Sequence, residues 1–143
     1  WAQAGINLEI IPGDGKQTLT KYRARQHDIY IGRWGPDYQD PHTNASTFAW
    51  NPDNADDATA KPLAWRNAWN PGAMTAETDA ATLERDDAKR AAMYVDLQKK
   101  VLESGPFVIM FQETEIASMR KNVHNLILGP SFDNNYYRFV TKD

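Results

Sequence analysis

Cysteine is absent from the 143 residues, which excludes disulfides, thiolate metal sites and a cysteine nucleophile. Charge of one sign is scarce too: the formal net charge is −3, and Lys and Arg are scattered without a basic stripe, so nucleic acid is set aside as a partner. Long hydrophobic runs are missing. The run Phe107-Val-Ile-Met-Phe111 falls far short of the roughly 20 residues that span a bilayer as a helix. Gly13-Asp-Gly15 precedes a helix-like stretch but lacks the third Gly and the Lys-Ser/Thr pair of a phosphate loop. No Ser sits in a nucleophile elbow, and no nucleophile, base and orienter assemble, so neither enzyme activity nor a cofactor is expected. Neither signal peptide nor initiator Met is present. The opening Trp1-Ala-Gln-Ala-Gly5 reads as the tail of a helix already under way, and the expectation is a piece of a longer chain.

What is present is a globular composition, 41% hydrophobic and 24% charged, long enough for one domain with a core. Gly5 reads as a helix C-cap, residues 6–11 as an alternating strand, and Pro12-Gly-Asp-Gly15 as a turn. A short helix over 16–25 and a strand over 28–33 complete a compact βαβ unit, which implies parallel strands. Residues 35–74 read as irregular: they carry Pro36, Pro41, Pro52, Pro62 and Pro71 and three Trp residues, with a short helix within 61–69 that turns Leu63 and Trp65 inward. A helix follows over 75–83. A longer one starts at Asp86 as N-cap, carries the stripe Met93, Leu97 and Val101 beside Tyr94, and stops at Ser104-Gly-Pro106. Asp86/Arg90 and Asp96/Lys100 are spaced as i, i+4 ion pairs. Residues 107–111 read as a strand buried on both faces and 114–119 as another; 130–139 closes the chain with aromatics and turn formers.

The chemistry concentrates at residues 28–42. There a strand breaks at Gly35-Pro36 into a loop with flat side chains at Trp34, Tyr38 and His42 and carboxylates at Asp37 and Asp40. Open α/β sheets place ligands beyond the carboxyl ends of their strands. Two other readings stay open at this point. One is a plain surface turn, with the Asp side chains on nearby amides and Trp34 covering a core edge. The other is a metal-dependent hydrolase-like site built from Asp37, Asp40 and His42. Asp53 to Asp57 lacks the Gly and the terminal Glu of a calcium loop, and Asn44-Ala-Ser46 matches a glycosylation sequon.

Four stretches, taken in order, resemble the large family 5 solute-binding proteins of bacterial ABC importers, of the dipeptide, oligopeptide and nickel type. They are Gly5-Ile-Asn-Leu-Glu-Ile-Ile11, the run from Tyr22 through Trp34-Gly-Pro-Asp-Tyr-Gln-Asp-Pro41, Asp86-Asp-Ala-Lys-Arg-Ala-Ala-Met-Tyr94, and Gly105-Pro-Phe-Val-Ile-Met-Phe111. The resemblance implies an α/β fold. This would be the C-terminal lobe of a two-lobed periplasmic-binding-protein fold (type II, cluster C-like), a mixed sheet flanked by helices. Residues 1–122 would form part of the second lobe, and 123–143 a hinge crossover and tail returning to a first lobe outside this sequence. It further implies a periplasmic or extracellular, membrane-associated protein that captures a small polar solute (a peptide, sugar or other) and passes it to the permease subunits. In peptide-binding members the residue matching Asp37 neutralises the ligand's amino terminus and the one matching Trp34 packs against the ligand. Tyr38, His42 and Trp50 complete the candidate set. The stretch 44–74, with His42-Thr-Asn-Ala before a Trp-rich insertion, departs from the family pattern.

Overall fold

The computed structural model describes residues 1–131 and 134–143; Phe132 and Asp133, within the aromatic tail, lie outside the described residues. The chain divides into two compact units, residues 1–31 and 32–143. The protein is a small, mostly helical α/β structure whose one described sheet has two strands.

In the first unit, Gly5 closes a 3-10 turn (Ala2–Ala4) at φ 73°, the left-handed conformation that a residue without Cβ adopts freely. Helix α1 (Gly15–Arg23) begins at Asp14, whose carboxylate accepts the Gln17 N–H at 2.7 Å. Lys21 and Arg23 lie in its last turn, where cations complement the helix dipole. Its one buried residue, Tyr22, stacks on Tyr30 with ring centroids 4.0 Å apart, and His27 meets Tyr22 edge-on at 4.9 Å. This aromatic trio is the unit's core.

The second unit is built on helices α2 (Pro41–Phe48), α3 (Leu63–Arg66), α4 (Ala73–Leu83) and α5 (Asp87–Ser104). Ala45 and Ala49 from α2 and its C-cap, Met74 and Ala81 from α4, and Tyr94 and Leu97 from α5 form the core, with Trp69, Met93 and Val101 packed against it. The stripe expected on α5 therefore faces inward. Small Ala residues on α2 and α4 let the helices approach; Ala81 is fully buried. Asp86 caps α5 by accepting the Lys89 N–H at 2.8 Å, and the helix stops at Gly105, as expected. Leu63 and Trp65 of α3 are both buried, and Trp65 donates its indole N–H to the Ala55 carbonyl at 2.8 Å. Asn51, itself buried, donates to the Trp69 carbonyl at 2.9 Å and to Asn54 Oδ1 at 3.0 Å. The short helix expected within 61–69 is therefore present as α3, whereas α2 and the side-chain-to-backbone bonds order a stretch that was otherwise expected to be irregular.

The expected βαβ unit and mixed sheet are not found among the described residues. Among the described residues, none of the segments 6–11, 28–33, 107–111 and 114–119 enters a β-ladder. Strands of a parallel sheet hold only with neighbours on their edges and cover on both faces. Here Ile10, Ile31, Val108, Phe111 and Ile116 are 79, 77, 86, 78 and 84% exposed, so neither condition is met. The sheet that does form is antiparallel. It joins β1 (Val123–His124) to β2 (Thr141–Lys142), pairs Val123 with Lys142 and His124 with Thr141, and continues to a bridge between Ile127 and Tyr136. No helix among the described residues is long and apolar enough to cross a membrane.

Candidate functional site

Helix α2 fixes the candidate loop from its carboxyl side. Asp40 is the N-cap and Pro41 the first helical residue, a pairing in which the missing N–H of Pro costs nothing and its φ already suits a helix. The Asp40 carboxylate accepts the His42 N–H at 2.8 Å. The same oxygen receives Nη2 of Arg90 at 2.8 Å. Arg90 is therefore not the i, i+4 partner of Asp86: the Asp86 carboxylate is occupied by the Lys89 amide, and Arg90 reaches across to α2. Asp96 and Lys100 do pair, at 2.7 Å, and Lys100 also holds Glu77 at 2.8 Å. The Arg90 guanidinium, and then the His42 amide, hold the Asp40 carboxyl below the usual carboxylate range. Burial pushes the Tyr94 phenol up, against the opposing influence of Arg90.

On the other side, Trp34 donates its indole N–H to Asn44 Oδ1 on α2 at 2.9 Å. Its ring stands edge-to-face on Phe48, 6.1 Å away at 89°. Phe48 in turn meets Phe107 at 5.0 Å, and Phe107 meets Trp69 at 6.0 Å. This chain of T-shaped contacts seats Trp34 on the helical core, yet the residue stays 41% exposed. Its polar edge is occupied and ring surface is left for contact. Gln39 donates its side-chain amide to the Pro130 carbonyl.

Between these anchors lie Asp37 and Tyr38, both exposed. Among the described residues the Asp37 carboxylate has no hydrogen-bond or ion-pair partner, which separates it from Asp40 three positions on. His42 is half-buried with its ring 6.4 Å from that of Tyr94, and its Nδ1 is buried without a partner. Trp50 lies elsewhere: it donates its indole N–H to Asp79 on α4 at 3.0 Å and makes no hydrogen bond or ring contact with residues 34–42. The structure thus gathers Trp34, Asp37, Tyr38 and His42 around the start of α2 and leaves Trp50 apart. Tyr38, Gln39, Asp40, Thr43 and Asn44 border an open concavity of about 240 Å³. A second concavity of about 240 Å³ lies beside Glu115, Leu126 and Tyr137, and its lining includes none of Trp34, Asp37, Tyr38 and His42. Among the described residues, no three His, Asp or Glu side chains converge to hold a metal, so Asp37, Asp40 and His42 do not assemble as a metal triad.

Sequence reasoning missed Arg90, Tyr94, Asn44 and Phe48 as partners of this loop. The start of α2 had a legible signal in Asp40-Pro41. The partner of Arg90, 50 residues away, had none.

No family model matches the chain, and no solved structure matches it. Curated proteins do. The chain is similar to di/tripeptide-binding protein 3 of Pseudomonas aeruginosa (strain UCBPP-PA14), 24% identical over 137 residues, covering 96% of this chain and 24% of that protein. It is also similar to the oligopeptide-binding protein AliB of Streptococcus pneumoniae, 30% identical over 110 residues, covering 69% of this chain and 16% of that protein. A dipeptide-binding protein of Pseudomonas aeruginosa matches at 24% identity over 137 residues. The chain spans about a quarter or less of the length of these relatives. Dipeptide- and oligopeptide-binding proteins thus match at low identity, in agreement with the family 5 resemblance read from the sequence.

Proposed function

We propose that this chain is part of the substrate-binding component of an ABC importer, a non-enzymatic protein that captures a small peptide-like solute by lobe closure and delivers it to a membrane permease. Residues 1–122 are assigned to the second lobe and 123–143 to the crossover toward the first, and the site of action is the periplasm or the outer face of the membrane. The names of the similar proteins support a peptide ligand over a sugar.

One observation carries the assignment of roles. In a loop whose other members are tied down at Trp34, Gln39 and Asp40, the Asp37 carboxylate is exposed and, among the described residues, has no hydrogen-bond or ion-pair partner, while Trp34 three positions before it keeps part of its ring exposed. A free carboxylate costs little while wet and becomes a strong partner for an ammonium group once closure removes water. Asp37 would neutralise the ligand's amino terminus, and Trp34 and Tyr38 would wall the pocket. His42 and Trp50 are the outer members of the set. The open concavity of about 240 Å³ takes in Tyr38 but not Trp34, Asp37 or His42, and it falls below the roughly 300–1,000 Å³ of complete ligand pockets.

The test is calorimetric titration of the intact protein with trialanine and with N-acetyl-trialanine. A charge-assisted hydrogen bond contributes about 1.5–3 kcal/mol, so Asp37→Asn should weaken trialanine about ten- to a hundredfold and leave the acetylated peptide unchanged. Equal binding of both peptides by the unsubstituted protein would remove the ammonium role of Asp37.

A further inference from the structure

We infer that Arg90 and Asp40 form a positioning latch that holds the 34–38 loop in its binding shape without either side chain touching the ligand. The inference rests on the role proposed for Asp37.

The geometry is that of a hub. Nη2 of Arg90 donates to Asp40 Oδ1 at 2.8 Å and to the Tyr94 hydroxyl at 3.3 Å, while Nε donates to the Ala81 carbonyl at 3.3 Å. The guanidinium carbon sits 4.9 Å from the centre of the Tyr94 ring. One planar group therefore joins the start of α2, the C-terminal part of α4 and the face of α5, which an ammonium at a single point would not do. With side chains only 26% and 33% exposed, the pair is partly screened from water.

Asp40 passes that fixation along the backbone. Its N–H donates to the Tyr38 carbonyl at 3.1 Å and its carbonyl accepts the Thr43 N–H at 3.1 Å. A shift of Asp40 thus moves Tyr38 directly and Asp37 next. Among the described residues the Asp37 side chain has no hydrogen bond or ion pair to hold it, so its place depends on its neighbours' anchors. Of the loop's side-chain anchors, Gln39 to Pro130 is exposed and neutral, and Trp34 to Asn44 lies on the far side of Pro36. Asp40 to Arg90 is the charged one, and it ties the loop into the helical core.

The experiment uses the intact protein with Asp40→Asn, Arg90→Met and Arg90→Lys. Asn keeps a capping oxygen without the charge, and Met keeps an aliphatic stem against Tyr94 without the guanidinium. Hydrogen exchange of the amides at 38–43 is read alongside titration with trialanine and N-acetyl-trialanine. A latch predicts exchange about tenfold faster at 38–43 in Asp40→Asn and Arg90→Met, with residues 94–101 of α5 unchanged. It also predicts loss of about tenfold in preference for the free amino terminus, with partial recovery in Arg90→Lys. Unchanged exchange at 38–43 overturns the latch whether or not peptide binds. Faster exchange with the preference intact overturns its positioning role. Faster exchange in a protein that never distinguishes the two peptides supports the latch and removes the ammonium role of Asp37.

Discussion

Asp40 does two separable things, and a pair of substitutions divides them. As N-cap it supplies an acceptor to the His42 amide, and as a carboxylate it meets Arg90. Asp40→Asn keeps the first function and loses the second; Asp40→Ala loses both. The difference between the two variants is then the cap alone, about 1 kcal/mol within a usual range of 0.5–2. The charge has its own signature in pH. Arg90, and then the His42 amide, hold the folded-state carboxyl below its ordinary value of 3.8. A depressed folded value means that the charge stabilises the native state above the unfolded value, and that this is lost as pH falls through the folded one. The stability gap between the unsubstituted protein and Asp40→Asn should therefore hold steady from about pH 7 to 5 and close progressively below about 4. Other acidic groups, such as Glu84 with its Lys89 partner, are the same in both proteins and cancel in the difference. Urea unfolding followed by tryptophan fluorescence at about pH 7, 5 and 3 measures both quantities. Equal stability of the Ala and Asn variants, together with a gap indifferent to pH, would show that Asp40 neither caps α2 nor pairs with Arg90 in solution.

Three further outcomes follow from the helical core. Thr78 is fully buried and its hydroxyl has no partner among the described residues, so Thr78→Val should be neutral or stabilise by up to about 1 kcal/mol in urea unfolding, since replacing an unsatisfied polar group by an apolar one of like shape removes its desolvation cost. Leu97, 2% exposed at the centre of the core, should cost about 2–5 kcal/mol as Ala by the same measurement. Gly72 opens α4 at φ 61° and ψ −125°, a conformation open to Gly almost alone, yet nothing lies within 4 Å of where a Cβ would stand. Gly72→Ala should therefore cost about 1–3 kcal/mol through backbone strain alone, with α4 shifted but the core intact by near-UV circular dichroism.

Helices were legible where local rules decide them. Asp86 reads as a cap, whereas Asp14 reads only as a turn residue and yet caps α1; the spacing of Met93, Leu97 and Val101 turns a continuous stripe toward the core. The failures were of two kinds. Segments 6–11, 28–33, 107–111 and 114–119 have strand-like patterns, but a strand is defined by its neighbours, and within these residues the apolar side chains stay exposed. The opposite error hid α2: five prolines suggested an irregular loop, whereas Pro41 after an Asp marks a helix start. Of the site, the sequence indicated the loop and its side chains. It did not indicate Arg90, because the local option of pairing with Asp86 looked sufficient and the true partner is 50 residues away.

The contrast between the two loop carboxylates follows from what stands after each. Asp40 precedes Pro41, so its neighbourhood is fixed as a helix start, with amides pointing back at it and α5 alongside. The His42 amide and the Arg90 guanidinium share its Oδ1, and a group so occupied would have to give up existing bonds to meet a ligand. Asp37 precedes Tyr38 in a stretch without helix or strand, and no backbone amide of the described residues meets its side chain. It stays exposed to water, and in the proposed function that hydration is exchanged for an ammonium partner. Spacing alone presents the two as an equivalent pair. The capping requirement of α2 assigns Asp40 to architecture, and the proposed function gives charge recognition to Asp37, which has no bonded partner among the described residues.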